Sequence, residues 1–241
     1  MNIKCVVAYD GTDYFGWQKH PDVPTIEGTL EPVLSRVCNH PVMLQAASRT
    51  DTGVHARGQV IQFHTERDLT LSINTLFPPA IQLLSIEKAA EDFHPTLDAK
   101  EKTYHYQITN APVQLPEYRH FAWHVPQLLD LKLMEEAIPH LLGTHDFTSF
   151  CNFRKGLNYK DKIRTLTALT VTPQPNNQLL ITVSGPNFLY KMVRNIVGTL
   201  VDIGLEKIAP QALPAILAAK KRPVAGLTAP AHGLTLHTVR Y

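Results

Sequence analysis

One stretch of the sequence, Phe188–Leu205, is apolar on nearly every side, and it constrains the fold more than any other. A helix that is apolar all round must be covered on all sides, so the pattern predicts a long, deeply buried helix. Arg194 stands in its middle, on the face shared with Lys191 and Gly198. Because an unpaired buried charge costs several kcal/mol, this guanidinium needs a partner.

The remaining segments alternate between strand and helix patterns and predict an α+β fold. We expect two similar lobes, residues 1–97 and 98–241, joined near Phe93–Lys100, with a central, mostly antiparallel sheet flanked by helices and a cleft between the lobes. The predicted strands are Ile3–Tyr9, Val42–Ala47, Gln59–His64, a strand from Ile81, Lys102–Ile108, Thr167–Val171, Leu179–Val183 and Leu234–Val239. Further helices are predicted after the Thr25 cap, near Leu71–Leu76, around Leu131–Leu142 and over Pro210–Lys220.

The composition is that of an ordinary globular protein, with 44% hydrophobic and 18% charged residues. No uninterrupted apolar run approaches a membrane span, and the first residues lack the pattern of a signal peptide. The three cysteines are widely spaced without a CxxC pair, which favours reduced thiols in a cytoplasm and no zinc site. The twelve histidines show no metal-ligand spacing, so we expect no metal site.

A short polar turn, Ser48–Gly58, places one carboxylate, Asp51, between two arginines. It lies between two predicted strands, where a rigid scaffold can present reactive groups. A lone aspartate in a turn is most often a cap, but Arg49 lies two residues before it and points to the same side of an extended chain. A neighbouring arginine keeps the acid ionised, so Asp51 is the candidate nucleophile or base.

Two residues of the second lobe are candidates to act with this turn. Arg194 pairs either with a structural acid or, across the cleft, with Asp51. Tyr104 on its strand would ordinarily be a packing residue. With Lys100, Lys102 and a second tyrosine nearby, it could instead stack on a nucleic-acid base.

Six blocks in the same order resemble the tRNA pseudouridine synthase A (TruA) family over nearly the whole chain. The catalytic motif is matched by residues 49–56, Arg-Thr-Asp-Thr-Gly-Val-His-Ala, and the N-terminal signature by residues 9–18. The other matching blocks are Phe93-His94 with Tyr104-His105-Tyr106, His145–Phe150, Phe188–Gly198 and Ala231–Val239.

The resemblance implies a homodimer with the pseudouridine synthase fold. It implies isomerisation of uridine to pseudouridine in the tRNA anticodon stem-loop, around positions 38 to 40, without metal or cofactor. By position, Asp51 is the catalytic aspartate, Arg49 the base-flipping residue and Arg194 the partner of Asp51. Tyr104 would stack on the uracil, and Leu189 would pack in the pocket.

Further residues are expected to contact RNA: Arg67, Phe93, His94, Lys100, Lys102, Lys160, Lys162 and Arg164. Three positions depart from the family pattern. Ser48 stands where glycine commonly precedes the arginine, and Pro95 and Thr96 stand where many relatives have alanine and arginine. The second departure removes one phosphate contact; either Lys100 or Lys102 compensates for it, or RNA affinity is lower.

Two other functions compete with the isomerase. A non-catalytic RNA-binding module on the same scaffold should lack the carboxylate or its arginine, and both are present. A glycosidic hydrolase usually needs a second carboxylate, and Asp10, Asp13 and Asp146 have no spacing that favours one. Within the isomerase hypothesis, attack on the sugar, attack on the uracil ring and removal of the ribose 2′ proton all remain open routes.

Overall fold

The computed structural model describes all residues 1–241, and the chain divides into two compact units. The first unit comprises residues 1–100 and 235–241, and the second comprises residues 101–234. This division differs from the predicted lobes at the C-terminal strand. Residues 235–241 belong to the first unit, where the C-terminal strand pairs with the strand that follows the Asp51 turn.

The strands, in chain order, are β1 Asn2–Tyr9, β2 Gln45–Ala46, β3 His55–His64, β4 Ile81–Lys88, β5 Glu101–Thr109, β6 Trp123–His124, β7 Gly143–Asp146, β8 Ile163–Leu166, β9 Ala168–Gln174, β10 Gln178–Gly185 and β11 Leu234–Arg240. The α-helices are α1 Ile26–Cys38, α2 Leu131–Ala137, α3 Met192–Gly204 and α4 Leu213–Ala219. Short 3-10 helices lie at Leu71–Leu76, Pro116–Tyr118, Ile138–His140, Thr148–Phe150, Pro210–Ala212, Arg222–Val224 and Ala231–Gly233.

In the first unit, β1 lies between β3 and β4 and is antiparallel to both. β11 adds to β3 in parallel, with Thr235 opposite His55 and Leu236 opposite Ala56. Alternate side chains of β1 are buried, as expected of a strand with one covered face. α1 begins where predicted, because the Thr25 hydroxyl accepts a hydrogen bond from the Gly28 N–H at 3.2 Å.

In the second unit, β10 lies between β5 and β9 and is antiparallel to both. β7 and β8 form a separate antiparallel hairpin that the sequence did not predict. Every residue of α3 except Arg194 is buried, which confirms the predicted deep burial of this helix. The α+β class with a central, mostly antiparallel sheet and flanking helices is confirmed; the cleft stays a prediction.

Several predicted boundaries were wrong for identifiable reasons. The helix predicted over Phe188–Leu205 begins only at Met192, because Lys191 has a φ of +60°, which is incompatible with a right-handed helix. The helix predicted around Leu131–Leu142 ends at Ala137 and continues as a 3-10 turn, because Pro139 lacks an N–H donor. The first strand beside the Asp51 turn shrinks from Val42–Ala47 to Gln45–Ala46.

None of the helices combines the length and the apolar character that crossing a membrane requires.

Candidate active site

The Asp51 turn is short and closed by its own backbone. The Val54 N–H donates to the Asp51 carbonyl at 3.1 Å, and Gly53 has a φ of +75°, which favours glycine. Thr50 is buried and Asp51 half-buried, whereas Arg49 is exposed. The turn therefore presents its acid at the edge of the core with an arginine in solvent two residues earlier.

A second segment, the loop at residues 10–18 that follows β1, holds this turn in place. The Trp17 N–H donates to the Thr50 carbonyl at 3.0 Å, and the Gly53 N–H donates to the Tyr14 carbonyl at 3.3 Å. The Tyr9 hydroxyl lies 2.7 Å from the Thr50 hydroxyl in a buried hydrogen bond. The N-terminal signature and the proposed catalytic motif, about forty residues apart in the sequence, thus form one structure.

Two glycines make this close approach possible. A Cβ atom at Gly11 would lie 2.1 Å from the Val54 carbonyl oxygen, so any side chain there would force the two segments apart. Gly16 has a φ of +86°, and a Cβ there would lie 2.7 Å from the Thr50 oxygen. The glycines in the signature therefore serve the geometry of the Asp51 turn.

His55, which the sequence analysis did not single out, anchors the far end of the turn. Its Nδ1 lies 3.0 Å from the Gly11 amide and 3.2 Å from Asp10 Oδ1. The Gly11 N–H donates to this nitrogen, which ties His55 to the loop at residues 10–18. Asp10 Oδ1 accepts from the Thr12 N–H at 2.9 Å and the Thr12 hydroxyl at 2.5 Å, which makes Asp10 a structural acid of the loop.

In the second unit, Arg194 is oriented by backbone contacts. Its Nε donates to the Ala229 carbonyl at 2.8 Å, and the Ala229 N–H donates to the Arg194 carbonyl at 3.0 Å. The segment 227–229 can approach α3 this closely because residue 198 is glycine, where a Cβ would lie 1.8 Å from the Leu227 oxygen. Leu189, just before α3, is buried.

A polar network beside Arg194 fixes the same segment. Asn195, fully buried, accepts from Arg222 Nη2 at 2.9 Å and from the Thr228 hydroxyl at 2.7 Å. Its amide nitrogen donates to the Phe150 carbonyl at 2.6 Å and to the Asn152 side chain at 2.8 Å. An asparagine within an otherwise apolar helix is the sequence signal for this network, which was not among the predicted site features.

Tyr104 lies on β5 as predicted and is only 7% exposed. Its ring meets that of Phe188 edge to face, with centroids 5.2 Å apart and planes at 89°. The neighbouring Tyr106 is fully buried, and its hydroxyl donates to the Pro230 carbonyl at 2.8 Å. Burial raises the pKa of Tyr106, so this phenol stays protonated. The packing role of Tyr104 is visible, and its stacking on a base stays a prediction.

The residues expected to contact RNA are not equally exposed. Arg67, Lys100 and Lys160 are exposed, and His94 and Lys162 are half-buried. Phe93 packs edge to face on Tyr241, with centroids 4.9 Å apart.

Two of the predicted RNA-contacting residues have evident structural roles. Lys102 is buried, and desolvation lowers its pKa to about 8. Arg164 forms an ion pair with Asp161 at 3.2 Å and lies 5.5 Å from the centroid of the Tyr159 ring. For both, RNA contact stays a prediction.

The departures from the family pattern fit the structure without strain. Ser48 is not among the residues with positive φ, so its side chain is compatible with the backbone there. The side chain of Gln59 holds the backbone of Ser48. Its Nε2 donates to the Ser48 carbonyl at 2.6 Å, and its Oε1 accepts from the Ser48 N–H at 3.2 Å. The Thr96 hydroxyl donates to the Ala46 carbonyl at 2.7 Å.

No group of three or more histidine, cysteine or carboxylate side chains is arranged to hold a metal ion. Cys5, Cys38 and Cys151 are buried and free. Burial, with smaller contributions from nearby Glu87 and Cys38, raises the pKa of Cys5 to about 12, so this thiol is unreactive at neutral pH.

Comparison with known proteins gives the class. The family described as tRNA pseudouridine synthase matches residues 5–77 and 137–241. A tRNA pseudouridine synthase A 2 of Protochlamydia amoebophila is 50% identical over 247 residues, covering 100% of this chain and 94% of the relative. The tRNA pseudouridine synthase A of Brevibacillus brevis is 42% identical over 245 residues, and that of Thermotoga petrophila is 38% identical over 245 residues. Both matches cover 99% of this chain and 99% of the relative.

The chain belongs to the tRNA pseudouridine synthase family, a class of isomerases that convert uridine in tRNA to pseudouridine. A solved archaeal Nop10–Cbf5 complex matches 83% of this chain at 9% identity, but its TM-score of 0.39 is too low to support a statement about the fold.

Proposed function

We propose that this chain isomerises uridine in the anticodon stem-loop of tRNA, around positions 38 to 40, acting as a cytoplasmic homodimer with Asp51 as its catalytic carboxylate. Family membership supports the reaction and the tRNA substrate. One observation on the chain carries the assignment of Asp51. A carboxylate sits on a turn held by a loop about forty residues away in the sequence, half-buried beside an exposed arginine.

Asp51 has the properties that the chemistry requires. The reaction detaches uracil from ribose, turns the base and rejoins it through carbon. A carboxylate at the sugar–base junction can attack the anomeric carbon, attack the uracil ring or remove the ribose 2′ proton. All three routes need an ionised acid held in one place, and the hydrogen bonds around Thr50 and Gly53 limit its movement.

Arg194 is the proposed partner of Asp51. It is the single residue of α3 that is not buried, and the Ala229 carbonyl fixes its Nε. A guanidinium oriented in this way would keep the pairing acid ionised and offset the charge that moves during the reaction.

Arg49, Tyr104 and Leu189 are proposed to handle the flipped nucleotide. A uridine in a helical stem must leave the stack, which costs a few kcal/mol. The exposed side chain of Arg49 would fill the vacated space. Tyr104 would then stack on the base, worth about 1–3 kcal/mol, and Leu189 would line the pocket.

Replacing Asp51 with asparagine tests the proposal, because the amide keeps the shape of the side chain and removes the carboxylate that all three routes need. Asp51→Asn should fold and bind tRNA but form no pseudouridine in a tritium-release assay. Glu117→Gln, on an exposed residue elsewhere, removes one negative charge as a matched control and should keep full turnover. Measurable turnover by Asp51→Asn would remove Asp51 from the mechanism.

The reaction products distinguish the isomerase from the hydrolase and from the RNA-binding module. An isomerase leaves the mass of the tRNA unchanged and gives pseudouridine by carbodiimide mapping, whereas a hydrolase releases uracil and an RNA-binding module does neither. Pseudouridine mapped only outside positions 38 to 40 would contradict the anticodon assignment. Light scattering that gives a monomer mass would contradict the homodimer.

A further inference from the structure

The loop at residues 151–160 exposes an aromatic side chain that no part of the proposed chemistry uses. Phe153 is 91% exposed, more than any other large hydrophobic side chain of the chain. Its neighbours in the sequence, Asn152, Arg154 and Lys155, are polar. A phenylalanine as exposed as this contributes little to the core, which leaves its ring available to a ligand.

A hydrogen bond and a cation–π contact anchor the loop that carries Phe153. The Tyr190 N–H donates to the Tyr159 hydroxyl at 2.8 Å, which ties the loop to the segment before α3. The Arg154 guanidinium lies 5.5 Å and the Lys191 ammonium 5.2 Å from the centroid of the Tyr190 ring. The loop that carries Phe153 is therefore anchored to the segment before α3.

The charge around this ring is strongly positive. Residues 151–164 contain five basic side chains and a single acid, Asp161, whereas the whole chain has a net charge of only +2. Arg154, Lys155 and Lys160 are exposed on the same loop as the ring. Cations beside an exposed aromatic ring are the combination that binds single-stranded nucleic acid, because phosphates pair with the cations and bases stack on the ring.

We propose that Phe153 stacks on an unpaired base of the tRNA substrate while Arg154 and Lys155 contact the adjacent phosphates. This inference rests on the proposed function, because it takes tRNA as the ligand. A protein partner fits less well, since a specific protein interface buries about 1,200–2,000 Å² and the residues next to Phe153 in the sequence are polar. The base would be one outside the flipped uridine, which is assigned to Tyr104.

Affinity measurements on three variants test the stacking. Phe153→Ala should weaken binding of in-vitro-transcribed tRNA roughly 5- to 150-fold, the range expected for one stacked base, with an unchanged dependence of the dissociation constant on salt. Phe153→Tyr keeps a ring and should bind nearly as well as the natural chain. Lys155→Ala should weaken binding and lower the salt slope by about one.

Fluorescence reports the contact directly. Phe153→Trp adds a solvent-exposed indole, and its emission, measured against the natural chain with its two tryptophans, should be quenched when tRNA binds. The unfolding temperature of Phe153→Ala should stay unchanged, because the side chain packs on almost nothing. Equal tRNA affinity for Phe153→Ala and the natural chain, or no quenching in Phe153→Trp, would overturn the proposal.

Two further measurements would show that the Phe153 ring contacts a ligand other than tRNA. Loss of binding to phosphatidylglycerol vesicles in Phe153→Ala, with tRNA affinity unchanged, would assign the ring to a membrane surface. A change in solution mass in that variant, again with tRNA affinity unchanged, would assign it to a protein interface. Either result overturns the stacking proposal while leaving the proposed function intact, because pseudouridine mapping of the product decides the isomerase and Asp51→Asn decides the role of Asp51.

Discussion

Replacing Gly16 with alanine would press a methyl group against the backbone that carries Asp51. The added Cβ would lie 2.7 Å from the Thr50 carbonyl oxygen and 3.1 Å from the Asp51 carbonyl carbon. The φ of +86° alone costs a residue with a side chain about 1–2 kcal/mol. The steric overlap adds about 1–3 kcal/mol, so we expect Gly16→Ala to lower the free energy of unfolding by about 2–5 kcal/mol.

The effect on catalysis follows from the size of the displacement. To restore an ordinary contact of about 3.4 Å, the Thr50 carbonyl must retreat by about 0.7 Å. A misplacement of about 1 Å at a reacting group can cost about a hundredfold in rate. We therefore expect the single-turnover rate of pseudouridine formation by Gly16→Ala to fall roughly tenfold to a hundredfold, measured under conditions where the protein is still folded.

Gly143 provides a matched control within the same chain. Its φ is +88°, but a Cβ there would meet no atom closer than His145 Nε2 at 4.0 Å. Gly143→Ala should lose about 1–2 kcal/mol of unfolding free energy in urea titrations and keep its turnover rate. If Gly16→Ala loses no more turnover than Gly143→Ala, the loop at residues 10–18 does not position Asp51.

Two further predictions follow from the second unit. Tyr104→Phe should keep most of kcat/KM, whereas Tyr104→Leu should lose roughly 5- to 150-fold because it cannot stack; equal values for the two variants would argue against stacking. Desolvation lowers the pKa of Lys102 from 10.5 to about 8, so between these pH values the unfolded chain binds more protons than the folded chain. The free energy of unfolding should therefore rise from pH 8 to 10.5 by about 3 kcal/mol relative to Lys102→Met, and parallel pH curves for the two proteins would contradict this.

Local sequence patterns were sufficient to predict those elements whose structure is decided by neighbouring residues. Alternation of apolar residues located β1, β5 and β10, and the Thr25 cap located the start of α1. The Asp51 turn was also visible locally, because Arg49 and Gly53 lie within a few residues of the acid. These features depend on side-chain period and capping, which a short window of sequence contains.

The remaining features depend on contacts between distant segments. Gly11 and Gly16 matter because of Val54 and Thr50, which lie more than thirty residues away in the sequence. The positive φ of Lys191 moves the start of α3 to Met192, and nothing in the apolar pattern of that stretch marks the change. A window of neighbouring residues contains none of this information.

The pairing of β11 with β3 has a consequence for synthesis on the ribosome. Residues 235–241 complete the unit that carries Asp51, yet they emerge only after all of residues 101–234 have been translated. At about 5–20 residues per second, this delay is on the order of ten seconds. A nascent chain would therefore hold the Asp51 turn on an unfinished sheet until translation passes Arg240.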